Sequence, residues 1–380
     1  MSSTLTIESP KVQTSPTQER GSAIGYMPVL DGLRALSVLM ILGFHKLGPL
    51  TEKISKVVNG WISVDLFFLV SGFLITSILL KEQDKKGSFS LKNFYIRRWL
   101  RLCPAYYVFL GIMFVWMLFR GQHDYAAYLV AGAYLTNMDS VFAWGLLPPA
   151  SGLLHTWTLG VEEQFYLLWP SCLRITGRNA MAFALSVCAV VYVWRLWLVA
   201  TGASWVRIYV GFDTRIDSIM FGVAACLLWR QAALREKFTP LLSKSSVQVV
   251  LASTLLLFCH WLQHPGCGVR YEELLLWGVK MPIVLVLICL LMLSLLANSS
   301  TLLGRILSSK VLTWIGRLSY SIYLWHVVVS FPVVNSMIGT LCFHRKYIVE
   351  IVNYAACLGM ASLSFYFIEQ PFLKIKTKYS

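Results

Sequence analysis

Runs of about 20 residues nearly empty of charge recur through most of this chain, and few folds can house them. A helical run of that length matches the hydrocarbon thickness of a bilayer. Lipid offers no partners to backbone N–H and C=O groups, so a segment that crosses it closes its hydrogen bonds internally, as a helix does. Apolar residues make up 57% of the 380 and charged ones 13%. That balance leaves too little polar surface to clothe a soluble globule of this size. The sequence therefore predicts an all-α fold, a polytopic membrane helical bundle of about ten transmembrane helices. Spans are expected near 28–48, 62–80, 101–119, 155–173, 180–200, 215–229, 246–262, 273–297, 312–334 and 347–368.

Lysine and arginine orient the bundle. With ten spans, 22 of the 33 fall on the side of the termini, 9 on the other side and 2, Arg195 and Lys280, within spans. Basic residues accumulate on the cytoplasmic face, so both termini are expected to be cytoplasmic and the protein to reside in the plasma (inner) membrane. The formal charge of +15 then has a topological explanation, and no nucleic acid is needed as a partner. Residues 1–25 are polar, with no apolar core or small-residue cleavage site, and read as a disordered cytoplasmic tail. Residues 26–370 make up the transmembrane domain and 371–380 a basic cytoplasmic tail. The segment 120–154 is too apolar for a plain loop, yet a full span there would invert every later segment. It is expected to be interfacial or re-entrant on the outer face, where it can wall a substrate cavity. The nine cysteines include no CxxC pair and the seven histidines no zinc spacing, so no metal is expected.

Ionisable side chains stand out against this background because each is costly within a span and so marks a polar interior, a pathway or a reaction site. Arg34 and His45 lie eleven residues apart in one apolar run. In a helix they share a face, about 16 Å apart along the axis, and can hold the two ends of one elongated ligand. Alternatively Arg34 snorkels to lipid phosphate and His45 ends the helix. Asp65, in VDLFFLVSGFLI, is expected at a depth similar to that of His45, with Ser71 six residues further inward. A carboxylate beside an imidazole fixes its tautomer and makes it a better base; an outer helix cap is the competing role. Arg97, Arg98 and Arg101, in FYIRRWLRLCP, sit within about one turn at the cytoplasmic side. Guanidinium groups so spaced chelate phosphate, although anchoring to anionic lipid also needs cations there. Glu162 and Glu163 point to different sides of one helix, so at most one faces a given cavity. Either acid–base work or pairing with an arginine such as Arg215 explains them. The same two readings cover Arg215 and Asp217, while His326 near the midplane is a candidate base or a hydrogen-bonded packing residue.

Together these segments make the chain resemble the acyltransferase type 3 family of integral membrane O-acyltransferases. The resemblance rests on DGLRALSVLMILGFH, VDLFFLVSGFLI, FYIRRWLRLCP, HTWTLGVEEQFYLLWP, RIDSIMFG, IGRLSYSIYLWH and IEQPF, in the family's order from about residue 26 to 373. Cys103 and Met138 depart mildly from the family pattern. The resemblance implies transfer of an acyl group, usually acetyl, from cytoplasmic acetyl-CoA to a hydroxyl of a glycan or glycoside at the outer face. Some members carry an extracellular esterase-like domain; here none is expected, because the chain ends about a dozen residues past the last span. On this reading CoA docks its phosphates on Arg97, Arg98 and Arg101, Arg34 lies nearer the pantetheine arm, and His45 acts as general base with Asp65 orienting its ring. Expected partners are the glycan or glycoside acceptor and membrane lipids. A secondary transporter or glycan exporter, with the same intramembrane charges as a proton relay, is the alternative.

Overall fold

The computed structural model describes residues 26–45, 62–148, 151–261, 276–329, 332–342 and 345–376. Those residues are overwhelmingly helical, with no strand among them. Six helices form the spine. In spatial order they are α7 (Ala180–Ala200), α9 (Phe212–Arg230), α2 (Ile62–Lys86), α1 (Pro28–Phe44), α14 (Lys310–Val329) and α16 (Lys346–Leu363), each packed on the next. α1 thus lies at the centre, which is why Leu30, Ala35, Val38 and Leu42 are almost fully buried.

Small residues set the spacing. A side chain at Gly316 of α14 would overlap the Asp31 carbonyl of α1, and one at Gly222 of α9 would overlap the Leu69 carbonyl of α2. Lipid provides no hydrophobic drive for helix association, so close backbone contact at such residues supplies packing instead. Local signals begin and end the helices. Pro28 opens α1, where a missing N–H costs nothing. The Ser90 hydroxyl accepts from the Asn93 N–H at 3.2 Å and caps α3 (Leu91–Phe119). That cap carries α3 ten residues upstream of the expected span, so Arg97, Arg98 and Arg101 share one continuous helix.

Each of the ten expected intervals holds a helix; those not yet named are α6 (Trp157–Thr176), α11 (Ser245–Trp261) and α12 (Met281–Ala297). By length and apolarity alone, five stretches among the described residues are able to cross a bilayer, and a sixth if α8 (Trp205–Val210) with α9 is joined to α10 (Ala232–Leu242) across a 101° bend. α6 and α7 leave the helical path at Gly177, where φ is +50°. The expected boundary at 370 falls inside helical backbone: a π-helical turn, Ser364–Glu369, continues into α17 (Gln370–Lys376), which packs against α3. Residues 1–25 lie outside the described residues.

The described residues of the segment 120–154 include two short helices, α4 (Tyr125–Gly132) and α5 (Thr136–Phe142), each too short to span a bilayer. The Tyr106 hydroxyl donates to the Ala131 carbonyl at 2.8 Å, and the side-chain amides of Asn137 and Gln164 exchange hydrogen bonds of 3.1 and 3.0 Å. These bonds satisfy backbone and amide groups that lipid would leave unpaired. Their consequence is positional: the chain re-enters at a 3₁₀ turn, Leu154–Thr156, that buries His155 at the head of α6.

Candidate active site

Two adjoining cavities lie along α2 and α3, and the second extends to α1. The first, about 430 Å³, takes Lys81, Lys85 and Lys86 from the last turns of α2, Arg97, Arg98 and Arg101 from the first turns of α3, and Lys376 from α17. Glu82 is the one acid among its described lining residues. Its carboxylate takes a 2.6 Å salt bridge from Arg97 and a 3.2 Å bond from the Ser90 N–H, so Arg97 is held in place by a partner in the last turns of α2. Arg98 stacks its guanidinium 3.5 Å from the Tyr166 ring centre. Such stacking orients a cation while leaving its N–H edges for anions.

The second cavity, about 330 Å³, shares Arg98 and Arg101 with the first and adds Arg34, Ser71, Glu162, Arg317 and Glu369. Arg34 lies 4.0 Å from Asp31, one turn earlier on α1, and 5.7 Å from the Phe67 ring centre. Glu162 lines this cavity in the field of Arg98 and Arg34, and its Oε1 has no hydrogen-bond partner among the described residues. Of the two adjacent glutamates, Glu162 is therefore the one that faces the cavity; Glu163 does not line it. Glu369 reaches in from the π-helical turn, where its carboxylate accepts from the Ser321 hydroxyl. π-turns widen a helix by one residue and recur where a side chain must be re-aimed.

Beyond Phe67 the path narrows to a throat and then meets three imidazoles. The rings of His45 and His326 lie 4.6 Å apart between centres, and those of His155 and His326 5.2 Å apart. His326 Nδ1 is 2.6 Å from the Tyr323 carbonyl, an acceptor only, so Nδ1 carries the proton and Nε2 is the basic nitrogen of the neutral ring. Tyr323 ties the cluster to the wall: its hydroxyl receives a 2.6 Å bond from Thr158 and donates to the His155 carbonyl. His45 is the residue that ends α1, and its N–H still closes on Ile41.

Asp65 corrects the expectation drawn from sequence. Its fully buried carboxylate accepts from Arg215 at 2.7 Å and from the Ser218 hydroxyl at 2.6 Å, so it joins α2 to α9 rather than orienting His45. The cause is the tight approach of those two helices at Gly72 and Gly222, which turns the first-turn face of α2 toward α9. Arg215 is consequently not the partner of Glu162 or Glu163. Asp217 likewise belongs to a buried structural pair, 2.8 Å from Arg195 of α7, whose second nitrogen donates to the Thr214 carbonyl at 3.0 Å. Buried charges need such partners. The residues that sequence reasoning passed over are His155, Tyr323, Ser319 and Glu369. His155 heads HTWTLGVEEQ and Tyr323 precedes His326 by one turn, so both stood in segments already singled out, but no spacing rule links histidines on three separate helices.

A bundle of apolar helices that encloses adjoining cavities rich in arginine and lysine, beside a cluster of three imidazoles, defines a membrane protein with a polar interior. The chain belongs to the family described as the acyltransferase domain, whose model matches residues 27–368. It is 30% identical over 368 residues to the peptidoglycan O-acetyltransferase OatA of Listeria monocytogenes, covering 92% of this chain and 56% of that protein. A putative peptidoglycan O-acetyltransferase of Bacillus subtilis, YrhL, is 30% identical, covering 91% of this chain and 55% of that protein. A putative O-acetyltransferase of Staphylococcus aureus is 31% identical, with 92% and 58% covered. The chain thus spans little more than half the length of these curated relatives. No solved structure matches it.

Proposed function

We propose that this protein moves an acetyl group from cytoplasmic acetyl-CoA to a hydroxyl of a glycan, of the peptidoglycan kind named for its relatives, at the outer face of the plasma membrane. The observation that carries the reading is a line on one face of α1: Arg34 in the second cavity, Val38 and Ile41 in the throat, and His45 in the imidazole cluster. Eleven residues of helix span about 16 Å, a distance that an extended pantetheine arm covers. The seven cations of the first cavity suit the phosphates of CoA, and Arg34 and Arg101 suit the neighbouring part of the arm. His45 removes the acceptor's hydroxyl proton as its oxygen attacks the thioester carbon; the new C–O bond replaces the C–S bond, and the CoA thiolate leaves toward the cytoplasm. A transient acyl-imidazole on His45 is the less favoured variant. On this reading both termini are cytoplasmic and the chain crosses the membrane about ten times, a topology that the basic residues of the inner loops support.

Purified protein in lipid vesicles, given radiolabelled acetyl-CoA and a muropeptide acceptor, tests this. The acceptor is expected to gain one acetyl group, detected by mass. Arg101→Ala is expected to raise the donor KM by roughly 10- to 150-fold, the worth of about 1.5–3 kcal/mol for a hydrogen bond to a charged group, with the acceptor KM unchanged. A transporter would relocate a glycan without changing its mass, and that result overturns the proposal.

A further inference from the structure

We propose that the throat between the second cavity and the imidazoles is the seat of the acyl group, with Ser319 donating a hydrogen bond to the thioester carbonyl and the surrounding apolar wall limiting the chain to acetyl. This rests on the acyl-CoA reading above. Val38 and Ile41 of α1, Val64 and Phe67 of α2, and Ser319 and Tyr323 of α14 line a cavity of about 10 Å³. That is room for one water-sized group, the size of a methyl. Phe67 also lines the second cavity, where Arg34 lies over its ring, so one aromatic side chain separates the arm's compartment from the acyl compartment.

The hydroxyls of the throat differ in what they are free to do. Thr158 donates to Tyr323, and Tyr323 donates to the His155 carbonyl, so both protons are committed. Ser319 is fully buried, and its Oγ has no partner among the described residues. A buried hydroxyl left without an acceptor is costly, and here it lines the space that a thioester threaded from the basic cavities must reach. Its neighbour Tyr323 touches both His155 and His326, with ring centres 5.4 Å away in each case. A carbonyl on Ser319 would therefore present its carbon next to the imidazoles. When the acceptor oxygen adds, negative charge grows on the oxygen that Ser319 already contacts, and it disperses again as the C–S bond breaks.

Acetyl-, propionyl- and butyryl-CoA are compared on the reconstituted protein, wild type and variants. Wild type is expected to lose about 10- to 200-fold in kcat/KM for each added methylene, the range seen in hydrophobic pockets. Val64→Ala is expected to raise butyryl relative to acetyl transfer at least tenfold. Ser319→Ala is expected to lower kcat with acetyl-CoA by about 100-fold or more with the donor KM within a factor of three, and Ser319→Thr to recover part of it. CoA binding by calorimetry certifies that each variant is folded. If wild type transfers butyryl as well as acetyl, or Val64→Ala leaves the chain-length profile unchanged, or Ser319→Ala retains the wild-type rate, the acyl seat is elsewhere although the acyltransferase reading stands. If wild type transfers no acyl group at all, the acyl-CoA reading itself fails.

Discussion

At the scale of the residue, two ionisable groups that look alike in sequence have different surroundings. His45 ends α1 among other imidazoles, with His326 4.6 Å away ring to ring. Asp65 is locked between Arg215 and Ser218. His45→Ala is expected to abolish acetyl transfer while leaving CoA binding and the unfolding midpoint close to wild type. Asp65→Asn is expected to do the reverse. Halving a buried ion pair strands the other charge, at about 3–5 kcal/mol, so the midpoint in a denaturant titration falls while the folded fraction still transfers acetyl. Both variants measured side by side, by transfer rate and by unfolding, decide the matter. A folded His45→Ala protein with full activity removes that residue from the mechanism, and an Asp65→Asn protein of normal stability but no activity returns Asp65 to it.

Elements carry the geometry through their crossings. α1 and α14 meet where Gly316 lies against the Asp31 carbonyl, and this single approach fixes the relative height of Arg34, Val38, Ile41 and His45 on one side and of Ser319, Tyr323 and His326 on the other. Val in place of Gly316 would collide with backbone, which cannot give way as a flexible side chain can. Gly316→Val is therefore expected to eliminate monodisperse protein on size-exclusion chromatography in detergent. Gly359→Ala, at a site on α16 with open space around it, is expected to leave the profile unchanged. Equal behaviour of the two variants would show that the crossing is not set by this contact. The short helices between residues 120 and 156 act at the same scale: they bring His155 to the cluster, and the cavities described above take no lining from the described residues of 120–154.

For the whole molecule the question is direction. The cationic cavity and the imidazole cluster lie toward opposite ends of α1, so donor and acceptor approach from opposite faces if α1 crosses the bilayer. A cysteine replacing Ser88, in the turn between α2 and α3, is expected to react with an impermeant thiol reagent only from the cytoplasm. One replacing Gln122, just past the other end of α3, is expected to react only from outside, in a background whose accessible native cysteines have been replaced. Labelling of both from one side would deny α3 its crossing and with it the passage of an acyl group between faces.

Composition and periodicity by themselves determined the class, an all-helical membrane bundle, and the face of α1 that carries Arg34 and His45, because transfer into lipid and the pitch of a helix depend only on neighbouring residues. The clustering of Arg97, Arg98 and Arg101 was legible for the same reason. What Asp65 pairs with, which of Glu162 and Glu163 faces the cavity, and the meeting of His45, His155 and His326 were decided by tertiary structure alone. Asp65 and Arg215 are 150 residues apart in the chain. Every helix in lipid offers several polar side chains of similar cost, and only the angle and depth at which backbones touch select which of them become partners.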